Sequence, residues 1–343
     1  MDSITIKDVA KICGVGVSTV SRAINNHPDI NEETKNMVLQ VIQEHNYIPN
    51  NSARNLKRSV SRTIVVLIKG IDNPFFSAMI KIFGEEIQNR RYSFLLHRVD
   101  SGENEVDVAM EVIKEKKPKG IIFLGGCFSN SQEKLEQLDI PFVLSTIAST
   151  EQMDENRFSS ISVDDMAESY KMVSYLCGQG HKRIGILAAT PDDESIGKLR
   201  LLGYQKALFD HNITPDPRWI FYSDEDIECY TMGNGYRQMQ KVMASDQELT
   251  ALFAVSDSVA IGACKAAFDA GKSVPGDYSI AGFDGLDTAH YYNPTITTIR
   301  QPVEDMAVAT IKILFDMIRN KAQNQRKVFQ GELVIGESTK VVN

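Results

Sequence analysis

No run of about 18 consecutive apolar residues occurs anywhere in the 343-residue chain, which excludes a membrane-spanning helix of ordinary length. The opening MDSITIKDVAKICG has no basic segment leading into an apolar one, so no secretory signal is expected. Cysteines are few, odd in number and scattered (Cys13, Cys127, Cys177, Cys229, Cys264), with no CxxC. That excludes a disulfide framework and a zinc site of familiar spacing, and they read as small buried hydrophobes of a cytoplasmic protein. Catalytic signatures are missing too: no GxSxG, Walker A, HExxH or strand-led GxGxxG is present. The histidines (His27, His45, His97, His181, His211, His290) share no metal-ligand spacing. Asp164-Asp165 offers paired carboxylates, but neighbours in sequence diverge on a helix, so both read as caps of the helix that follows. Neither enzymatic activity, nor a cofactor, nor a metal is expected.

What is present is an ordinary globular balance, 43% apolar and 24% charged residues, at a length suited to two or three domains. The net charge of −8, taken over the whole chain, argues against nucleic acid. It is unevenly spread, however. Residues 1–62 hold 8 basic and 6 acidic side chains, net +2, leaving 29 basic and 39 acidic, net −10, for the rest. A basic head on an acidic body points to an anionic partner touched at one end only.

The head reads as three helices. Thr5-Ile6-Lys7-Asp8 is a capping-box-like start, and Ile6, Val9, Ala10 and Cys13 recur at helical spacing before Gly14. After Gly14-Val15-Gly16, a second helix over 17–25 turns Val20 and Ile24 inward and Ser18, Thr19, Ser21 and Arg22 mostly outward. A third, over 32–45, opens at Asn31 and buries Val38, Val41 and Ile42. This is the helix-turn-helix plan. Small hydroxyl side chains let such a helix seat in the major groove, and an arginine can fork onto guanine. A plain three-helix bundle with a solvated polar face fits the same spacing. Next, Pro49 to Arg58 sets Leu56 among Arg54, Lys57 and Arg58. An apolar residue among basic ones suits a minor-groove wedge, and equally a flexible basic linker.

From Thr63 onward strands and helices alternate. TIVVLI, SFLLHRV, KGIIFLGG and IPFVLST read as buried strands separated by helices at 75–90, 104–116 and 131–138. The order restarts with KRIGILAAT, WIFYS, LTALFAVS and YSIAGFD, with helices at 165–179, 195–211, 231–245 and 257–270. Continuous β-branched runs between helices predict parallel sheets covered on both faces, hence two doubly wound α/β lobes. Ligands sit beyond the carboxyl ends of such strands. Those ends carry Asp72, Asn73, Phe75 and Phe76; Gly125 and Gly126; Ser145 and Thr146; Thr190; Ser256 and Asp257; and Asp284, with Arg200 just inside a following helix. An aromatic platform with converging carboxylates and a guanidinium suits a polyhydroxylated ring. Phe75 reads first as core, Arg200 also as an ion pair between lobes, and Asp284 also as a cap.

The run TIKDVAKICGVGVSTVSRAINN and the stretch YIPNNSARNLKR resemble the DNA-binding head and hinge of the LacI/GalR repressor family. The resemblance continues through DNPFF, GHKRIGIL, LRLLGYQKAL, ALFAVSDSVAIGA, VPGDYSIAGFDG and PTITTIRQP, covering nearly the whole chain. It implies a small all-α head over 1–48, a hinge helix or linker over 49–61, and a body over 62–343 like the periplasmic binding proteins. The N-lobe would comprise 62–162 and 294–324, the C-lobe 163–293 and 325–340, with crossings near Val163, Asn293 and Gln325. It further implies base reading by Val17, Ser18 and Arg22, phosphate contacts from Thr5, Thr19, Ser21 and Asn25, and minor-groove contacts from Ala53 and Leu56. Phe76, Arg200, Asp257 and Asp284 match effector-contacting positions, beside Asn73, Phe75, Thr146 and Thr190. Two residues depart from the pattern: Gly16 stands where the family usually has a capping Ser, and Thr146 where relatives often carry Asp. The implied activity is allosteric control of a pseudo-palindromic DNA operator by a small molecule, with a sugar favoured. With no leucine-heptad tail after VFQGELVIGEST, a homodimer is expected rather than a tetramer. A solute-binding protein is the competing reading.

Overall fold

The structure, a computed structural model, describes residues 4–24, 26–45, 47, 61–100, 102–128, 132–149, 158–320 and 322–342. Asn25, Ala53 and Leu56 lie outside the described residues. The chain divides into two compact units, Met1–Ser61 and Arg62–Asn343. Among the described residues no helix is long and apolar enough to cross a membrane.

The first unit contains α1 (Ile6–Ile12), α2 (Val17–Ile24) and α3 (Glu32–Glu44). The expected capping box forms: the Asp8 amide donates to Thr5 Oγ1 at 3.4 Å, and the Thr5 amide donates to Asp8 Oδ2 at 2.9 Å. Gly14, at φ +64°, closes α1 in the left-handed conformation that a Cβ disfavours. Asn31 caps α3 by accepting from the Glu33 amide at 2.8 Å. Val9, Ala10, Cys13, Val20, Ala23, Val38 and Tyr47 make the core, so each helix gives one apolar stripe to a common centre.

The second unit opens with β1 (Thr63–Lys69), α4 (Phe75–Asn89), β2 (Ser93–Val99), α5 (Glu105–Lys116), β3 (Gly120–Leu124), β4 (Cys127–Phe128), α6 (Gln132–Leu135), β5 (Phe142–Ser145), β6 (Ala148–Ser149) and β7 (Ser159–Val163). It continues with α7 (Asp165–Gly178), β8 (Ile184–Leu187), α8 (Ile196–Asp210), β9 (Ile220–Phe221), α9 (Met232–Ala244), β10 (Ala251–Ala254), α10 (Asp257–Asp269), β11 (Ser279–Ala281) and α11 (Asp287–Tyr291). It ends with β12 (Thr298–Arg300), α12 (Val303–Asn320), β13 (Arg326–Phe329) and β14 (Glu332–Val334). A six-stranded sheet, in the order β13-β7-β5-β3-β1-β2, forms the N-lobe, and a four-stranded sheet, β11-β10-β8-β9, the C-lobe. Every pairing within these two sheets is parallel, and the strand order reverses beside β1 in one and β8 in the other.

The inner strands β1, β3, β8 and β10 are covered on both faces, which is why they are apolar almost throughout. On β1, Ile64, Val66 and Ile68 enter one apolar cluster while Val65 and Leu67 enter another on the opposite face. Each such side chain stabilises the fold by roughly 1.5–3 kcal/mol on burial. The first cluster continues through α7 (Met172, Leu176) into the C-lobe strands (Ile184, Ile186, Phe253), tying the two lobes into one body.

The chain leaves β7 at 163–165, and its two later passages between lobes fall at 300–303 and 329–332, where Asn293 and Gln325 were expected. β12 extends beside β11, with the Asp284 amide donating to the Ile299 carbonyl at 2.9 Å, so 294–300 stay with the C-lobe. Helix α12 then packs on α4 and the N-lobe strands. β13 pairs with β7, adding 326–329 to the N-lobe sheet, and only beyond it does the chain return. Short apolar runs do not reveal which of two similar sheet edges they will join; the pairing partner decides.

Candidate functional site

On the head, α2 presents a divided surface. Val20 and Ala23 are buried, while Val17, Ser18 and Arg22 are exposed on one side, flanked by half-buried Thr19 and Ser21. A rigid helix carrying small polar residues and one arginine outward can enter a duplex groove without desolvating its own core. Thr5 is exposed at the start of α1, where its hydroxyl donates to Asp8 Oδ2 at 2.5 Å. That bond, first among the causes, holds the Asp8 carboxyl below its ordinary pKa. Gly16 caps α2 with backbone alone: its carbonyl accepts from the amides of Thr19 (2.9 Å) and Val20 (3.1 Å).

In the body, the carboxyl ends of β1, β3 and β8 and the crossing segments converge on a cleft between the lobes. Its inner part is lined by Asn73, Phe75, Phe76, Thr146, Val163, Asp165, Ile196, Arg200, Asp284 and Gln301. It holds only about 10 Å³, room for a single water. An outer part of about 430 Å³ adjoins it and shares Asn73, Phe76 and Ile196. That volume falls within the range of small-molecule pockets.

Arg200 forms the floor. Helix α8 lies close on α7 because position 203 is glycine; a Cβ there would stand 2.3 Å from the Met166 carbonyl. The contact brings Arg200 opposite the first turn of α7. Its Nε donates to Asp165 Oδ1 at 2.9 Å, an Nη2–Oδ1 contact of 2.8 Å joins the same carboxylate, and Nη1 donates to the Val255 carbonyl. Asp284 Oδ1 lies 3.6 Å from Nη1, and the Phe283 ring sits 3.7 Å beneath the guanidinium. The arginine is 1% exposed. Its partners all belong to the C-lobe, so it is no bridge between lobes. Asp165 is the correction to the reading of Asp164-Asp165 as two caps. Asp164 does cap, accepting from the Ala167 amide at 2.9 Å, but Asp165 is buried and pairs with the arginine.

Two polar atoms in the inner pocket are buried without a hydrogen-bonding partner: Thr146 Oγ1 and Asp284 Oδ2. Each belongs to a residue in an unfavourable backbone conformation, φ +58° for Thr146 and +117° for Asp284. A β-branched residue with positive φ is unusual, and such strain costs of order 1–3 kcal/mol. Strain and an unmet hydrogen-bonding group thus coincide at both residues. Asp284 Oδ1 accepts from Gln301 Nε2 at 2.9 Å. Burial pushes the Asp284 carboxyl up to about 7, against the pull of Arg200.

Asp257 does not join this set. It lines neither part of the cleft; Oδ1 accepts from the Thr298 hydroxyl at 2.6 Å and Oδ2 from the Leu286 amide at 2.7 Å. It therefore shapes the 283–286 loop that carries Asp284, and burial, then the nearby Asp284 charge, pushes its carboxyl up to about 8. Thr190 lines the outer part only. Asn73 Oδ1 accepts from the Phe75 amide at 3.0 Å, and Phe75 packs edge-on to Phe76 with centroids 5.7 Å apart, so Phe75 serves both core and wall. Gly125, at φ +72°, is forced: a Cβ would stand 2.6 Å from the Lys69 carbonyl and from Phe76. Sequence reasoning overlooked Asp165, Gln301 and Ile196. Only the surplus of a second Asp at one helix start hinted at the first, and nothing local marks the other two.

A family model described as bacterial regulatory proteins, lacI family, matches residues 5–50, and one described as a periplasmic binding protein-like domain matches 173–339. The HTH-type transcriptional regulator MalR of Clostridium butyricum is 41% identical over 335 residues, 97% of this chain and 98% of that protein. The HTH-type transcriptional repressor PurR of Pasteurella multocida is 32% identical over 348 residues, 98% of each chain. Among solved structures, the Lac repressor dimer bound to operator and the anti-inducer ONPF matches with a TM-score of 0.77 at 22% identity, covering 99% of this chain and 100% of that one. The transcriptional regulator CelR–cellobiose complex matches at 0.70 and 24%, covering 98% and 99%. The structural matches share the fold. Relatives that match the chain from end to end, head included, regulate transcription, which sets the solute-receptor reading aside. The protein is a DNA-binding transcriptional regulator and belongs to the LacI family.

Proposed function

We propose that the chain is a cytoplasmic repressor that grips a pseudo-palindromic operator as a homodimer and answers to a sugar bound in the lobe–lobe cleft, on which it does no chemistry. The observation that carries the effector reading is the pair of strained, buried residues with unpartnered atoms, Thr146 and Asp284, beside Arg200. Carboxylate and hydroxyl groups accept from sugar hydroxyls, the guanidinium donates, and Phe76 offers a ring face. The regulator named with cellobiose, and a LacI family regulator from Enterococcus faecium with bound ribose, support the ligand class.

On DNA, Val17, Ser18 and Arg22 read base edges, Thr19, Ser21 and Asn25 hold phosphates, and Ala53 and Leu56 enter the minor groove. Thr5 joins the phosphate contacts once its hydroxyl turns from Asp8. An effector alters operator affinity only as far as it binds the closed and open cleft differently. Closure moves the crossings at 163–165, 300–303 and 329–332, and the change is passed to the head through 49–61. A mobility-shift titration on genomic upstream fragments, repeated with each sugar that stabilises the protein in a thermal-shift panel, tests the proposal. A salt-sensitive specific shift that a stabilising sugar alters is expected, and Leu56→Ala should weaken it at unchanged sugar affinity. Absence of any specific shift refutes operator binding; a stabilising sugar that leaves the shift unchanged refutes the effector role.

A further inference from the structure

The outer part of the cleft carries more charge of one sign than a sugar site needs. Asp72 from the N-lobe and Asp192, Asp193, Glu194 and Glu228 from the C-lobe all line it. The cations lining it among the described residues are Lys69 and Arg98. Both are engaged by carboxylates that are not part of the lining. Lys69 Nζ lies 3.3 Å from buried Glu105 and donates to the Glu103 carbonyl at 2.9 Å; Arg98 Nε lies 3.0 Å from Asp100. Of the acids, Glu194 pairs with Lys198 at 2.8 Å, outside the lining. Asp193 turns one oxygen to the Ser195 amide at 3.0 Å, while its other oxygen, buried, has no partner. Deeper in, the guanidinium of Arg200 is already outnumbered by Asp165 and Asp284.

We infer that the mouth of the cleft sorts effectors by charge: Asp72, Asp193 and Glu228 admit an uncharged polyhydroxylated ligand and turn away phosphate esters and nucleotides. The inference rests on the cleft being the effector site. The two parts of the cleft share Asn73, Phe76 and Ile196, so a ligand that occupies the outer part and reaches towards Thr146, Asp284 and Arg200 lies in this acidic mouth. A phosphate there would meet carboxylates between low-dielectric walls, where field lines are focused, and would find no cation to spare. Hydroxyls of a neutral sugar, in contrast, donate to those carboxylates in charge-assisted hydrogen bonds.

Cys229 lines the same cleft and reports its potential without a known ligand. The full chain is labelled with methanethiosulfonates of one frame that are neutral, cationic (trimethylammonioethyl) or anionic (sulfonatoethyl). Rates at Cys229 are read by peptide mass and normalised to a free thiol. The cationic reagent should outpace the anionic one by ~10-fold or more at low salt. The ratio should collapse towards one in 1 M salt, and in the triple variant Asp72→Asn, Asp193→Asn, Glu228→Gln. A ratio at or below one in the parent protein overturns the inference. Thermal shift with ribose and ribose 5-phosphate, glucose and glucose 6-phosphate, and cellobiose and its 6′-phosphate gives the second arm. Stabilisation by the neutral member at concentrations ~10-fold below its ester supports the inference. A stabilising ester overturns it while leaving the effector reading intact. Silence of every pair counts against the effector reading alone, and the labelling ratio then decides the question of charge.

Discussion

Under the proposed function, the head and the inner cleft solve opposite recognition problems. On α2 the side chains offered to a partner are exposed, and the core beneath them is complete without the partner. In the cleft the corresponding side chains, Arg200, Thr146 and Asp284, are 1%, 6% and 2% exposed, two of them strained and each of those two with an unpartnered atom. A DNA duplex is large and rigid, so it is read by groups projecting from a finished surface. A small molecule gains enough binding energy only by being enclosed, so its site is left incomplete inside the protein. The contrast implies that head variants change affinity at little cost to folding, and cleft variants change both.

The most severe break of that contrast is Arg200→Ala, which leaves Asp165 and Asp284 buried without their cation. A loss of about 3–5 kcal/mol of body stability and of the sugar response is expected. Both are measurable by denaturant unfolding and calorimetry, with operator binding by the ligand-free protein kept where the variant stays folded. Arg22→Ala sits at the opposite pole: operator affinity should fall by about 1–3 kcal/mol, with discrimination at one base pair relaxed, and the melting temperature should hold. An equal drop in stability would show that α2 is not the independent surface described above.

A third test uses pH. The Asp257 carboxyl is raised from 3.8 to about 8 in the folded protein, so between those values the folded state keeps a proton that the unfolded chain releases. Its contribution to stability is therefore full below about 4 and is lost as pH rises towards 8. The melting temperature should fall by about 2–4 °C or more from pH 5 to 8, equivalent to ~1 kcal/mol, and Asp257→Asn should flatten the slope. An unchanged slope would remove Asp257 as its source. The smallest effect belongs to the head. Gly16 has ordinary backbone and room for a side chain, Ser18 Oγ being 3.5 Å from a built Cβ. Gly16→Ser should add a few tenths of a kcal/mol to helix stability by capping α2, read from the melting of the isolated unit or the intact chain.

Much of this was legible locally. TIVVLI became β1 and KGIIFLGG held β3, because a fully covered parallel strand is apolar at every position. Thr5, Asp8 and Gly14 announced the limits of α1 through capping chemistry confined to one turn. Strand β7, with serines at 159, 160 and 162, did not announce itself, since Ser159 and Ser160 are buried by the sheet and not by their neighbours in sequence. Helix α12 passed unread although its apolar residues recur at helical spacing. In the cleft, Arg200 and Asp284 line the inner part, in keeping with their places at helix and strand ends. Asp257 was expected beside them, yet Thr298 and Leu286 occupy its oxygens, and Thr298 lies far along the chain.

The order of residues by itself determined the alternation of strand and helix, the capped start of the head and the split of charge between its two ends. These depend on neighbours within one or two turns, whose spacing is fixed by covalent geometry. Only the tertiary structure decided which sheet β12 and β13 join, that Asp165 rather than a partner lobe meets Arg200, and which buried oxygens are left without a partner. Those outcomes depend on groups distant in sequence competing for the same few hydrogen bonds, and that competition is resolved only when the chain has closed on itself.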